Sequence, residues 1–129
     1  WPDYWSSSPS AKEGVPESYK IGDTHYWGVW WGKEPFENYN TKISSFMSEY
    51  GFQSFPEYST FKQFAKQKDE DIYSEVMKYH QRSSIGNATI EEYMAREFKN
   101  PKDFESLLYL SQLLQGDGIQ TKRSSKRKI

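Results

Sequence analysis

The sequence predicts an α/β chain whose N-terminal part holds short strands and whose C-terminal half is rich in helices. Residues 23–32 and 43–50 are β-prone, and a short helical pattern lies between them. From residue 55 onward, apolar residues recur at the three- and four-residue spacing of amphipathic helices. The order strand, short helix, strand is typical of a crossover unit.

Residues 1–22 are predicted to be irregular, because serine, glycine and proline interrupt them repeatedly. A loop of this length in a compact domain is usually functional or disordered. Trp1, Tyr4 and Trp5 argue against disorder, because a disordered segment rarely carries so many large aromatic residues.

Residues 23–32 form the first β-prone segment, which we expect to be a short strand or an extended stretch. In an extended chain Asp23, His25 and Trp27 share one face, because side chains alternate along a strand. Two interpretations remain open for this row of carboxylate, imidazole and indole. The Asp–His pair either pins a loop or contributes polar contacts to a ligand cleft. We expect no metal site, because His80 is the only other histidine available as a third ligand.

Residues 33–40 are predicted to form a short helical turn that begins at Pro35 and places Phe36 and Tyr39 on one side. The second β-prone segment follows at Ile43, with apolar residues on both faces, which predicts a strand buried on both sides. The segment ends in Glu49. A carboxylate at the end of a buried strand is costly unless it is used or paired, so Glu49 is the main candidate catalytic residue.

Four helices are predicted in the C-terminal half, each with a start signal and an apolar stripe. The third has a capping box formed by Thr89 and Glu92, and the fourth has Asn100 as its cap and leucines on more than one stripe. Asn87-Ala88-Thr89 matches the N-glycosylation pattern. The four helices cover residues 55–65, 69–82, 89–98 and the stretch from Pro101 through Leu114.

Composition narrows the function classes. The 129 residues amount to one domain or less, and the net charge of -1 gives no basic field for nucleic acid or an anionic membrane. No apolar run approaches the roughly 20 residues of a membrane span. Aromatic residues make up 18% of the chain although the mean hydropathy is -0.97. These rings either supply the core or form a platform for a flat, weakly polar ligand such as a sugar.

Several motifs, in order and at fitting spacing, carry a resemblance to a known family. Residues 22–36 followed by 46–56 resemble the catalytic barrel of family 2 glycoside hydrolases, specifically β-mannosidases. The resemblance covers residues 1–120, whereas the basic segment 121–129 does not share it and is expected to be a disordered tail. Further matches are residues 4–10, His80-Gln81-Arg82 with Gly86-Asn87, Tyr109-Leu110-Ser111-Gln112 and Leu114-Gln115.

The resemblance implies a role for each matching residue. Glu49 would be the catalytic nucleophile of a retaining exo-β-mannosidase that hydrolyses terminal β-mannosides. The residues implied to bind the substrate are Asp23, His25, Trp27, Trp30 and Tyr50. Trp31 departs from the family pattern, which often has a histidine there.

The resemblance also implies that parts of the enzyme are missing. A retaining glycosidase needs a second carboxyl group roughly 5 to 5.5 Å from the nucleophile, and the family's Trp-x-x-Asn-Glu segment for the acid/base does not occur here. The chain would be a partial (β/α)8 TIM-barrel fragment, with about strands six and seven and their helices. We expect an excised piece that is inactive alone and needs the rest of the barrel or self-association, because its sheet edges are open.

The implied partner is a β-mannoside oligosaccharide or glycoconjugate, with no cofactor, nucleic acid or membrane. The resemblance is compatible with a periplasmic, secreted or lysosomal location. Two alternatives stay open: a non-catalytic helical module that binds carbohydrate or another partner, and a member of the same family acting on β-galactosides or β-glucuronides.

Overall fold

The computed structural model describes residues 7–10 and 20–126, of which 122–126 are described by their backbone alone. The chain divides into two compact units. The first comprises residues 1–52 with 118–129, and the second comprises residues 53–117. Trp1, Tyr4, Trp5 and most of the predicted N-terminal loop lie outside the described residues.

The first unit contains a two-stranded parallel sheet, formed by β1 (Thr24–Tyr26) and β2 (Met47–Tyr50). A 3₁₀ helix, Phe36–Asn40, lies in the crossover between the strands. Pro35 precedes that helix in an extended conformation. The predicted order of strand, short helix and parallel strand is therefore confirmed.

The first predicted strand is much shorter than expected, because a turn follows it at once. The carbonyl oxygen of Trp27 accepts backbone N–H groups from Trp30, Trp31 and Gly32 at 2.9–3.2 Å. Gly28 is required inside this turn, because a Cβ there would lie 2.7 Å from the Tyr26 ring and from a Glu34 oxygen. The extended stretch thus ends at Tyr26 and does not reach residue 32.

The second predicted strand begins later and is more exposed than the sequence suggests. Residues 43–46 lie outside the sheet, and β2 starts at Met47. Met47 is buried, but Phe46 is 53% exposed and Ser48 and Glu49 are also exposed. The expectation of a strand buried on both faces was wrong, because only β1 pairs with β2 in the described part of the chain and one face stays uncovered.

Aromatic rings form the core of the first unit. Tyr39 is fully buried, and its ring meets those of Tyr26 and Tyr50 edge-on at 5.8 Å. The rings of Trp30 and Phe36 pack edge-on against Phe52, with centroid distances of 5.0 and 5.2 Å. Such pairs add about 0.5–1.5 kcal/mol each beyond the burial of their area. For these rings, the interpretation that aromatic residues supply the core is confirmed.

The second unit is helical. Its elements are α1 (Tyr58–Phe64), a 3₁₀ turn (Gln67–Asp69), α2 (Glu75–His80), α3 (Gly86–Glu97) and the N-terminal part of α4 (Phe104–Lys126). All four predicted helices are present. Their buried side chains include Phe61, Met77, Ile90, Tyr93, Met94, Leu108 and Leu114, and Ile72 is buried in the turn before α2.

Local caps explain why α2 and α4 start later than predicted, and α3 starts earlier than predicted. The Ser74 hydroxyl accepts the backbone N–H of Met77 at 3.3 Å, so α2 begins after Ser74 instead of at residue 69. Asp103 accepts the backbone N–H of Ser106 at 2.8 Å and caps α4 in place of Asn100. Because α3 already begins at Gly86, Thr89 is buried within its first turn, and the predicted capping box does not form.

Asn87 is buried in α3 with its amide fully engaged. Its Nδ2 donates to the carbonyl oxygen of Ile72 at 2.6 Å, and its Oδ1 accepts from Gln81 at 3.0 Å. An amide held in this way is not accessible to a glycosylating enzyme, so the sequence pattern does not mark a glycan site in this fold.

The backbone of α4 continues to Lys126, six residues into the basic segment 121–129 for which the sequence predicts disorder. Residues 127–129 lie outside the described part of the chain. The separation of this segment from residues 1–120 stays a prediction. No helix in the part of the chain that the structure describes has the length and apolarity needed to cross a membrane.

Candidate active site

Glu49 lies in β2 with its side chain about half exposed. Its Oε2 is 3.3 Å from His25 Nδ1 and accepts the indole N–H of Trp27, also at 3.3 Å. Among the described residues, nothing hydrogen-bonds to its Oε1. One oxygen of the carboxylate therefore accepts the Trp27 N–H and lies beside His25, while the other oxygen is open to a ligand among the described residues.

Strand geometry explains why these three side chains meet. In the parallel register His25 lies opposite Glu49. Alternation along β1 then sends His25 and Trp27 to the same side of the sheet. The sequence predicts a shared face for Asp23, His25 and Trp27, and the structure confirms it, because Asp23 Oδ2 lies 3.9 Å from His25 Nε2.

Asp23 is buried at the start of β1 and accepts four hydrogen bonds. Its Oδ1 receives the backbone N–H and the hydroxyl of Ser10 at 2.7 and 2.6 Å. Its Oδ2 receives the hydroxyls of Ser8 and Ser48, both at 2.5 Å. The hydrogen bonds from Ser10, Ser48 and Ser8 hold the pKa of the Asp23 carboxyl well below its usual range. Asp23 is thus charged at neutral pH and anchors the Ser8–Ser10 segment.

A β-bulge in β2 places Ser48 beside Asp23. The register passes from the pair Thr24–Met47 directly to the pair His25–Glu49, so Ser48 is the extra residue. A bulge re-aims the side chains around it. Here it lets Ser48 bond to Asp23 while the next residue, Glu49, faces His25.

Two of the predicted substrate-binding residues lie away from this cluster. Trp30 is only 3% exposed and packs edge-on against Phe52 in the core. Tyr50 follows Glu49 in β2, so alternation points its ring to the opposite face, where it meets Tyr39. Neither placement tests a contact with substrate, but both rings support the strands that carry the cluster.

The cluster also contains residues that the sequence reasoning did not select. Among the described residues, the hydroxyls that hydrogen-bond to Asp23 are those of Ser8, Ser10 and Ser48. A signal was present, because the Ser-Ser-Pro-Ser run is part of a matching motif and Ser48 directly precedes Glu49. Nothing in the local sequence, however, shows that these serines approach Asp23.

Aromatic surface borders the cluster. Trp27 is 37% exposed while its indole N–H is bound to Glu49, and Trp31 in the following turn is 53% exposed. A ring held by its polar edge leaves its apolar face available for stacking. Across the described ranges, no group of three or more His, Cys, Asp or Glu side chains is arranged to hold a metal ion.

Comparisons with known proteins identify similar chains. The chain is 29% identical to β-mannosidase B of Aspergillus terreus over 116 residues. This aligned stretch covers 88% of this chain and 14% of the fungal protein. β-Mannosidase B of Aspergillus niger gives the same values. The crystal structure of a β-D-mannosidase from Dictyoglomus thermophilum matches with a TM-score of 0.78 and 33% identity, covering 83% of this chain and 13% of that one. No model of a protein family matches.

The chain therefore spans about one seventh of the length of the curated relatives that it matches. The similarity extends over most of this chain in both sequence and three-dimensional structure. The resemblance predicted from the motifs is confirmed: this chain resembles a segment of β-mannosidases.

Proposed function

We propose that this chain is the segment of a retaining exo-β-mannosidase that carries the nucleophile, Glu49. The observation that carries the proposal is the asymmetry of the Glu49 carboxylate. Oε2 accepts the Trp27 N–H at 3.3 Å and lies 3.3 Å from His25 Nδ1, and Oε1 is left open among the described residues. A nucleophilic carboxylate needs to be oriented and reachable, and this arrangement supplies both requirements.

In the proposed reaction, Glu49 Oε1 attacks the anomeric carbon of a terminal β-mannoside and the glycosidic C–O bond breaks. The departing oxygen takes a proton from a general acid, and a glycosyl–enzyme ester forms on Glu49. Water then attacks the same carbon, gives its proton to the group that acted as acid, and releases mannose with retained configuration. Each step conserves charge and protons without a cofactor.

The acid/base is proposed to lie outside these residues. Besides Glu49, the described residues of the first unit include two carboxylates near β1, those of Asp23 and Glu34. Hydrogen bonds lower the pKa of both carboxyl groups. The donors to Asp23 are three serines, and the donors to Glu34 are Tyr26, with the larger effect, and Asn38. A general acid needs a raised pKa, so neither group suits that role. The chain's short coverage of its relatives fits this division.

The surrounding residues are proposed to contact or support the sugar. The exposed face of Trp27 would stack on the mannose ring, and His25 would flank it. Asp23, Trp30 and Tyr50 would act indirectly, since the first is saturated with hydrogen bonds and the two rings pack away from the cluster.

The two parallel strands are proposed to be about strands six and seven of a (β/α)8 barrel. In such a barrel the active site lies at the carboxyl ends of the strands, and Glu49 is the penultimate residue of β2. Both edges of a two-stranded sheet would then be completed by neighbouring strands of the longer enzyme.

The test is hydrolysis of an aryl β-mannoside by the longer enzyme that contains this segment. Glu49→Gln is expected to lower kcat on the order of 10⁴-fold, because it removes the nucleophile. Glu37→Gln is the matched control, an exposed glutamate in the same unit, and should keep normal turnover. In Glu49→Ala, added azide should restore turnover and give an α-mannosyl azide, because azide attacks from the vacated face. Normal turnover by Glu49→Gln would refute the proposal.

One alternative has an observation in its favour. The exposed rings of Trp27 and Trp31 would also suit a non-catalytic module that binds carbohydrate. Calorimetric titration of the 129-residue chain with β-mannooligosaccharides separates the two functions, since the barrel segment should bind nothing measurable without its missing strands. Assays of the longer enzyme with an aryl β-galactoside and an aryl β-glucuronide, beside the mannoside, show which sugar it hydrolyses.

A further inference from the structure

Ser8 bridges two titratable residues of the cluster. Its Oγ is 2.5 Å from Asp23 Oδ2 and 3.0 Å from His25 Nε2. The other ring nitrogen of His25, Nδ1, is 3.3 Å from Glu49 Oε2. A continuous chain of polar contacts therefore runs from the buried Asp23, through Ser8 and His25, to the carboxylate proposed as nucleophile.

Counting hydrogens along this chain fixes the direction of each contact. A serine hydroxyl has one hydrogen and can donate only once. Asp23 carries no proton, since three serines hydrogen-bond to its charged form, so the hydrogen in the 2.5 Å contact belongs to Ser8. The hydrogen in the contact between Ser8 and His25 must then be on Nε2.

The other ring nitrogen, Nδ1, faces the Glu49 carboxylate at 3.3 Å. The charged groups that face His25 within the described ranges are Asp23, from the residue before β1, and Glu49, from β2. Because the ring lies between these two side chains, a contact that fixes Nε2 on Ser8 also fixes the edge that the ring presents to Glu49.

We infer that Ser8 is a positioning residue: oriented by Asp23, it accepts the Nε2–H of His25 and so fixes a proton on Nε2 and the orientation of the ring beside Glu49. The catalytic consequence of this inference rests on the proposed function. A ring fixed in this way stays beside Glu49 Oε2, so attack proceeds from Oε1.

The experiment is ¹⁵N NMR of the histidine rings in the 129-residue chain at neutral pH. The sequence contains only two histidines, so His80→Gln assigns the signals. We expect Nε2 of His25 to show the shift of a protonated ring nitrogen. In Ser8→Ala the acceptor is lost, and Nε2 should move toward the shift of an unprotonated nitrogen.

Two variants make the test specific. Ser10→Ala removes a donor to Asp23 without touching His25 and should leave both nitrogen signals in place. Ser8→Thr keeps the hydroxyl and should restore the wild-type pattern. An unprotonated Nε2 in the wild-type chain, or an unchanged pattern in folded Ser8→Ala, overturns the inference. If Ser8→Ala does not fold, the inference is tested by the Nε2 signal alone. That signal should be that of a protonated nitrogen in wild type and in Ser8→Thr.

The NMR readout does not depend on glycosidase activity, so the two proposals can fail separately. Normal turnover by Glu49→Gln with a protonated Nε2 would refute the nucleophile and leave the role of Ser8 toward His25 intact. Loss of turnover in Glu49→Gln with an unprotonated Nε2 would do the reverse.

Discussion

The two units of the chain use their polar side chains in different ways. In the first, polar side chains bond to one another: three serines converge on Asp23, while His25 and Trp27 converge on Glu49. In the second, pairs such as Tyr58 with Glu70 and Tyr73 with Glu91 also bond to each other, but more of the polar side chains bond to backbone groups. Examples are Asn87 to the Ile72 carbonyl, Ser111 to the Phe55 N–H, Gln112 to the Phe55 carbonyl and Asp103 to the Ser106 N–H.

The difference fits a division between the proposed site and a scaffold. Side chains that satisfy backbone groups lock loops and helix ends, where an unmade hydrogen bond would be costly. Side chains that bond to one another around two carboxylates fix charge and orientation, which chemistry requires. Glu49 stays half exposed, whereas Ser111 and Asn87 are buried. We therefore expect variants of the first unit to alter pH response and activity, and variants of the second to alter stability alone.

The largest effect is expected for Asp23→Asn, measured as the urea midpoint at pH 7, 5 and 3. Because the folded pKa of Asp23 lies below the unfolded value of about 3.9, the unfolded chain binds the proton first as pH falls. The stability from Asp23 is thus fully present above that value and is lost as pH falls toward the folded pKa. The advantage of wild type over Asp23→Asn should shrink between pH 5 and pH 3.

Asp103→Asn is the matched control in the second unit. Hydrogen bonds from Ser106 also lower the pKa of Asp103, so its effect has the same sign. It should be smaller, because one serine holds Asp103 and three hold Asp23. If wild type is more stable than Asp23→Asn by the same amount at pH 3 as at pH 7, the assigned charge of Asp23 is wrong.

A smaller effect, confined to stability, is expected for Ser111→Ala. Ser111 is fully buried, its Oγ accepts the Phe55 N–H at 2.9 Å, and it donates to the Leu108 carbonyl at 2.7 Å. Removing the hydroxyl leaves a buried N–H without its partner, which costs about 1–3 kcal/mol. Chemical denaturation measures the loss. The exposed Ser84→Ala should stay within about 0.5 kcal/mol of wild type, and an equally small change for Ser111→Ala would refute its structural role.

The smallest effects come from two glycines of α4, one in each unit. A Cβ at Gly116 would meet nothing within 4 Å, so Gly116→Ala should stabilise the chain by about 0.5–1 kcal/mol through helix propensity. A Cβ at Gly118 would lie 2.9 Å from the Phe36 ring, so Gly118→Ala should destabilise the chain by about 1 kcal/mol. Thermal melts of the pair should shift in opposite directions. If both variants are more stable than wild type, the Phe36 ring does not restrict the side chain at position 118.

Local patterns predicted much of the fold. Pro35 marked the start of the 3₁₀ helix, and the three-residue spacing of Phe36 and Tyr39 placed both rings in the core. The alternation of Asp23, His25 and Trp27 predicted their shared face. These features depend on backbone geometry over a few residues, so the sequence displays them directly.

The errors arose where distant groups compete with local patterns. The β-prone composition of residues 23–32 predicted a long extended segment, but the hydrogen bonds to the Trp27 carbonyl closed a turn and sent Trp30 into the core. The predicted cap at Asn100 gave way to Asp103, one turn later. A cap and a turn each depend on which donor forms a hydrogen bond with a given carbonyl or carboxylate. The spacing of apolar residues in the sequence does not indicate this.

By itself, the sequence determined which residues alternate on β1, that Glu49 is the acid at the end of the next strand, and that the chain resembles a β-mannosidase segment. Only the tertiary structure decided that three serines, 13 to 25 positions from Asp23, saturate its carboxylate, and that His25 lies between Asp23 and Glu49. The physical reason is register. Alternation is a property of one strand, whereas these contacts depend on how two strands pair, where the bulge falls and how the Ser8–Ser10 segment meets β1.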